Sequence, residues 1–231
     1  MNSPRLRFFS RHIPPASQQA LSQQRAEALA AYHILDTPAE AEFDQLTQLA
    51  ASVCEAPISA ISLLDRDRQW FKSRVGLDIS ETPVDSSFCI HALEHPSKVM
   101  VVPDTTADSR FRKSPMVMEY PHLRFYIGAP IVTPSGIPIG TICALDHRPR
   151  SLNQTQHSAM QCLAAWAATF LEQRRITAKY IATQKLLRRW QSFLPDGPSC
   201  NTPRPDVVAA RSHHFSLLIK PPSPCWPSPG S

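Results

Sequence analysis

Apolar residues first recur at helical spacing at Ala26, Leu29, Ala30 and Tyr32, in Ala-rich surroundings, and predict a helix from near Arg25 that stops at Ile34-Leu35-Asp36. A second helix start follows at once. Thr37 as N-cap, Pro38 at the first helical position and Glu40 form a capping box, after which Phe43, Leu46, Leu49, Ala50 and Val53 share one face that packs on a core. Pro57 ends this helix. Ile58 to Leu64 carries apolar residues on both faces and reads as a strand covered on both sides. After the turn Asp65-Arg66-Asp67, the strand Gln69 to Val75 alternates so that Trp70, Lys72 and Arg74 fall on one face and Phe71, Ser73 and Val75 on the other.

Leu77 to Val84 reads as loop, Ser86 to Glu94 as a short helix, and Val99 to Val102 as a strand ending at Pro103. Asp104 to Pro121 is irregular, with one helical turn after Pro115. Leu123 to Val132 and Ile137 to Leu145 form a second hairpin around Thr133-Pro134-Ser135-Gly136. Asn153 and Gln156 form another capping box and open a long helix from about Gln154 to Phe193. Met160, Leu163, Ala167, Phe170 and Leu171 give it an apolar stripe, which Ile181, Leu187, Trp190 and Leu194 continue after a basic interval. Two hairpins in a single sheet make this an α+β fold and exclude a doubly wound βαβ arrangement.

Composition refines the boundaries. Nine of the 23 prolines fall in residues 195–231, which are expected to form a disordered tail. Residues 1–24 hold three arginines and no acid, and are expected to be a disordered basic arm; the same features suit a transit peptide, whereas a secretory signal lacks its apolar segment. The domain proper, 25–173, has 12 basic against 17 acidic residues, so the net charge of +5 comes from the arms and from the +6 of residues 174–194. An acidic domain of this kind disfavours nucleic acid as a partner. No apolar run is long enough for a membrane span, and the six cysteines (54, 89, 143, 162, 200 and 225) lack any Cys-x-x-Cys pair, which points to reduced thiols in the cytoplasm and against a structural metal.

The strings LDTPAEAEFDQLTQLA, ISLLDRDRQWFKSRVGLD, ETPVDSSFCIHAL, VVPDTTADSRF, LRFYIGAPI and GTICALD follow one another in order over residues 25–175. In these blocks the chain resembles the GAF domains that lie N-terminal in bacterial sensor histidine kinases and diguanylate cyclases. The resemblance implies an antiparallel sheet of about six strands with flanking helices, a small-molecule pocket on one face, and a sensory or regulatory role in signal transduction passed on through the terminal helix. No kinase or cyclase signature follows Leu194, so such an effector is expected to be a separate partner.

The expected ligand-pocket residues are Trp70, Lys72, Ser87, Cys89, His91, Asp104, Arg124 and Tyr126. Lys72, Arg124 and Tyr126 alternate with apolar residues on their strands and would give an anionic ligand a cation and a hydroxyl; an internal salt bridge suits the two cations equally well. Cys89 and His91 are two apart and do not face one another on a helix, so lining or capping the pocket suits them better than a catalytic pair. Free methionine-R-sulfoxide reductases built on this fold suggest a redox enzyme as the alternative. Cys89 and Cys143 approach only if strand and helix cooperate, and the grouping of three pocket cysteines those enzymes resemble one another in is absent. The other histidines are scattered without ligand spacing. No catalytic residue, metal or covalent chromophore is expected, and neither the cofactor nor the ligand is specified by any motif. A helix of about 40 residues is about 60 Å long, whereas a domain of about 150 residues is only about 35–40 Å across. Its second half, 174–194, is expected to project and to pair two chains in a homodimer.

Overall fold

The structure, a computed structural model, describes residues 16–191; residues 1–15 and 192–231, with Leu194 and the Pro-rich segment 195–231 among them, lie outside the described residues. The helices and strands follow in the order α1 (Ala16–Ala30), α2 (Ala41–Cys54), β1 (Ile58–Leu64), β2 (Arg68–Val75), β3 (Glu81–Pro83), α3 (Phe88–Ala92), β4 (Met100–Val102), α4 (Pro115–Met118), β5 (Phe125–Val132), β6 (Pro138–Asp146) and α5 (Gln154–Gln191). The six strands form one sheet in the order β3-β2-β1-β6-β5-β4, and every neighbouring pair is antiparallel. Helix α1 begins at Ala16, nine residues before the expected start at Arg25, and so enters the stretch read as an arm. Strand β3 lies in the stretch read as loop.

Both faces of the sheet are covered. On one face, Ile61, Leu63, Phe125, Ile127, Ile142 and Ala144 pack against Leu29 of α1, Phe43, Leu46 and Ala50 of α2, and Met160, Leu163, Ala167 and Leu171 of α5. The 3–4 spacing of the last four places them on one stripe of α5. On the opposite face, Ile58, Ala60, Leu64, Phe71, Tyr126, Cys143 and Leu145 pack against Phe88, Cys89 and Leu93 of the α3 region and Val117 of α4. β2 ends at Gly76, whose φ of +70° suits glycine and whose missing Cβ leaves room for the Pro57 carbonyl.

The capping boxes fare differently. At α5 the Asn153 side chain accepts from the Gln156 N–H while the Gln156 side chain accepts from the Asn153 N–H, as expected. At α2 the expected box is not formed: Glu40 itself sits at the N-cap position, and Thr37 donates its hydroxyl to the Ile34 carbonyl. The Glu40 carboxylate is engaged elsewhere, by Lys72 at 2.6 Å.

The strand that carries Lys72 breaks register at this point. Ser62 pairs with Phe71, and Ile61 pairs with Ser73, so Lys72 is the extra residue of a β-bulge. The bulge turns Lys72 and Ser73 together toward α2, where the Ser73 hydroxyl donates to Asp44 at 2.6 Å. It places Arg74 opposite Ala60 on the other face, so the expected shared face of Trp70, Lys72 and Arg74 is broken at this point. The Lys72 side chain has no exposed surface, and its ammonium donates to Thr37 Oγ1 at 2.9 Å, the Pro38 carbonyl at 2.7 Å and Glu40 Oε1 at 2.6 Å. Arg174 of α5 donates to the same carboxylate oxygen at 3.1 Å and to the carbonyls of Tyr32 and His33. An uncompensated ammonium in this position would be strongly destabilising.

Partial burial pushes the Glu40 carboxyl up, but the hydrogen bond and charge of Lys72, joined by Arg174, outweigh it and hold the group below its ordinary 4.5. A folded-state value below the unfolded one means that the stabilisation is complete above pH 4.5 and disappears as pH falls through the depressed value. Glu40→Gln is expected to lose about 3 kcal/mol at neutral pH, the low end for breaking a buried pair. Its urea-unfolding stability should also decline less than that of the parent chain below pH 4.5. Equal acid dependence of the two proteins would show that Glu40 does not carry this term.

Candidate functional site

The face of the sheet opposite α5 holds a narrow cavity of about 40 Å³, room for a few water molecules. Its floor comes from Ile58 and Ala60 of β1, Gln69 and Phe71 of β2, Tyr126 of β5, and Cys143 and Leu145 of β6; α3 supplies Phe88 and Cys89 as a wall. No lining residue carries a formal charge. Such a cavity selects for a small, neutral occupant, because a bare anion would find no compensating cation.

Of the eight residues expected here, Ser87, Cys89 and Tyr126 line the cavity. Trp70 packs in the core shared with the helices on the other face, and Lys72, two residues on, points the same way and reaches Glu40. Arg124 precedes β5 and donates to the carbonyls of Val117 and Leu123, which fixes the α4 loop. Asp104 folds back on the N–H and hydroxyl of Thr106. His91 lies on the outer side of α3, paired with Glu94 at 3.0 Å and edge-on to Phe111. The cation-plus-hydroxyl arrangement expected for an anionic ligand is therefore not assembled in the cavity.

The polar groups that do converge do so in two places. Ser87 caps α3 by accepting the Cys89 N–H at 3.0 Å, and its hydroxyl donates to Gln69 Oε1, which joins α3 to β2. Deeper, the Cys89 sulfur receives the hydroxyls of Thr141 at 3.1 Å, Ser62 at 3.2 Å and Tyr126 at 3.4 Å, and the Cys143 thiol also contacts it. Ser62 and Thr141 face each other at 3.0 Å across the central strand pair. Ser62, Thr141, Gln69 and Cys143 were not among the expected pocket residues; the alternation of ISAISLL and GTICALD around Ser62, Thr141 and Cys143 is the signal that points to them.

Electrostatics separate the thiols. Burial pushes Cys89 up, but the hydrogen bonds from Cys143, Ser62, Thr141 and Tyr126 together outweigh it and lower its pKa. Cys143 is pushed well up by its hydrogen bond to Cys89 and by burial, and Tyr126 by burial and the neighbouring sulfurs. Cys54, on the far side of the sheet and without such donors, is pushed up to about 11 by burial. Among the described residues no group of three His, Cys, Asp or Glu side chains is placed to hold a metal ion, and no helix is long and apolar enough to cross a membrane.

Tyr126 owes its position to Gly128, the next residue on the same face of β5. A Cβ on Gly128 would come within 2.0 Å of the Tyr126 hydroxyl oxygen. Gly128→Ala is expected to displace the ring and to cost about 1–3 kcal/mol in a urea melt, the usual penalty of overpacking. An unchanged midpoint would mean that the ring moves aside freely.

Comparison with known proteins adds four findings. The family model described as GAF domain matches residues 38–171. A cyclic di-GMP phosphodiesterase of Pseudomonas aeruginosa is 42% identical over 117 residues, which is 51% of this chain and 20% of that protein, so the match spans about a fifth of the relative's length. The GAF domain of an Acinetobacter phosphoenolpyruvate-protein phosphotransferase superposes with a TM-score of 0.50 at 12% identity, covering 69% of this chain and 95% of that one, a likeness of fold. A free methionine-R-sulfoxide reductase from Neisseria meningitidis, solved with its substrate, gives a TM-score of 0.49 at 16% identity over 73% of this chain and 98% of that one.

Proposed function

Because this chain belongs to the GAF domain family, we propose that it is a regulatory module without catalytic activity, which binds a small molecule in the cavity beside α3 and passes that state through α5 to a partner. The occupant is small and uncharged, since the cavity is narrow, mostly apolar and lined by no charged residue. The effector it serves is a kinase, cyclase or related enzyme. The 42% identity to a segment of a protein named as a cyclic di-GMP phosphodiesterase favours one that acts in cyclic di-GMP turnover. The reductase alternative draws no support from the cysteines: three of them would have to gather, and among the described residues only Cys89 and Cys143 meet.

The observation that carries this reading is the division of α5 into a packed half and a free half. Met160, Leu163, Ala167 and Leu171 are buried on the sheet, whereas from Ile176 to Arg188 every residue except Gln184 is exposed. Opposite the buried stripe, Trp166, Tyr180 and Leu187 lie at multiples of seven residues, and Ile176 lies ten after Trp166; all four are 50% or more exposed. That is the spacing of a two-helix seam. Such an apolar line in water gains by pairing with its copy on a second chain. The +6 charge of residues 174–194 opposes close pairing, and salt screens it.

The full chain is expected to sediment as a reversible dimer whose weight-average mass rises with salt, while a chain ending at Arg175 stays monomeric. Tyr180→Lys with Leu187→Lys should abolish the dimer and leave the thermal melt of the domain unchanged. Equal monomer masses for both lengths across the salt series would overturn dimerisation through α5.

A further inference from the structure

Three hydroxyl groups directed at one buried sulfur are an unusual expense in an otherwise apolar layer. Cys89 and Tyr126 are 2% and 1% exposed, and Ser62 and Thr141 are fully buried. An ordinary buried cysteine behaves as a small apolar residue and asks for no such donors. A hydroxyl taken from water needs a partner; Thr141 also bonds Ser62 and Tyr126, and the sulfur is the acceptor at which all three meet. The arrangement suits a sulfur that carries negative charge, at rest or in a transition state. The second thiol lies against the first. Cys143 projects from β6 beside Ala60, contacts Cys89, and reaches the Ala60 carbonyl at 3.5 Å. Both sulfurs border the cavity, whose volume admits a molecule little larger than water.

We propose that Cys89 and Cys143 form a peroxide-responsive dithiol, in which Cys89 reacts with a small hydroperoxide that enters the cavity and Cys143 resolves the product as a disulfide between α3 and β6. The Cys89 sulfur attacks one peroxide oxygen. The S–O bond forms as the O–O bond breaks, and the departing oxygen takes up the thiol proton and leaves as water or an alcohol. The Cys143 sulfur then attacks the Cys89 sulfenic acid; the S–S bond forms, the S–O bond breaks, and the hydroxyl leaves as water with the Cys143 proton. The two thiols lose two electrons and the peroxide gains them. The cavity's size and lack of charge admit hydrogen peroxide and exclude a bulky charged oxidant such as a glutathione disulfide. The hydroxyls of Ser62, Thr141 and Tyr126 stabilise the attacking sulfur. The reaction goes beyond the ligand-sensing role and requires neither the dimer nor the cavity's usual occupant.

The reduced full chain is treated natively with stoichiometric hydrogen peroxide, alkylated after unfolding, and digested without reductant for mass spectrometry. The expected product is a peptide pair joined through Cys89 and Cys143, with Cys54 still alkylated; in urea this selectivity vanishes. In Cys143→Ser, dimedone labels Cys89. Tyr126→Phe is expected to slow peroxide consumption by about tenfold, the worth of one hydrogen bond to a charged acceptor, and to move the pH midpoint of the rate upward. Oxidation confined to Cys162, Cys200 or Cys225, with Cys89 and Cys143 both alkylated, would overturn the proposal. Linkage of Cys89 to any other cysteine would do the same. Should Cys143→Ser fail to fold, the peptide map of the unaltered chain decides alone.

Discussion

An ammonium group sealed from water must be surrounded by acceptors, and the way Lys72 meets that demand fixes how the helical layer sits on the sheet. Apolar packing between α1, α2, α5 and the sheet is broad and non-directional, so it brings the layers together without choosing among neighbouring offsets. The Lys72 cluster does choose. Its acceptors come from the α1–α2 connection at Thr37 and Pro38 and from the head of α2 at Glu40. Arg174 then ties α5 to the same carboxylate and to the carbonyls of Tyr32 and His33. One bulged residue of β2 thereby sets the relative positions of three helices.

That bulge also marks the limit of what alternation along the chain reveals. The strands from Ile58 and to Val132, and the capped start of α5, follow directly from period and turn chemistry. A single extra residue in β2 reverses the face of everything after it without altering the composition of the strand. Lys72 shares the helix-facing side with Trp70 by plain alternation, whereas Ser73 joins it there and Arg74 crosses to the other face, and nothing in the strand RQWFKSRV marks the switch. The α2 capping box was legible as a motif but its acid was claimed by a residue 32 positions away, a contact no short window contains. Strand β3 is three residues at a sheet edge, too short for a period to register.

The site was only partly legible, for a related reason. Cys89, Ser87 and Tyr126 stand in compact motifs, and each lies at the cavity. Arg124, Asp104 and His91 stand in equally compact motifs, yet their hydrogen-bonding capacity is met by nearby backbone or by Thr106 and Glu94, at sequence separations of seven or less. Local satisfaction competes with projection into a pocket, and polar residues in loops commonly settle it in favour of the backbone. Ser62 and Thr141 show the converse: on paper each is one small polar residue in a strand, and only the pairing of β1 with β6 brings the two hydroxyls to the same sulfur.

The end of β6 leads through residues 147–153 into α5, so the strand that carries Thr141 and Cys143 is joined by a short connection to the helix whose outer half is free of the sheet. A helix held as far as the Arg174 contacts and free beyond them acts mechanically as a lever with its fulcrum at Arg174. From there to Arg188 the arm is about 21 Å at 1.5 Å per residue, and a tilt of about ten degrees at the fulcrum sweeps its tip through about 4 Å. Carbon atoms touch at about that separation. A tilt of this size is thus a stroke sufficient to engage or separate a pair of facing side chains.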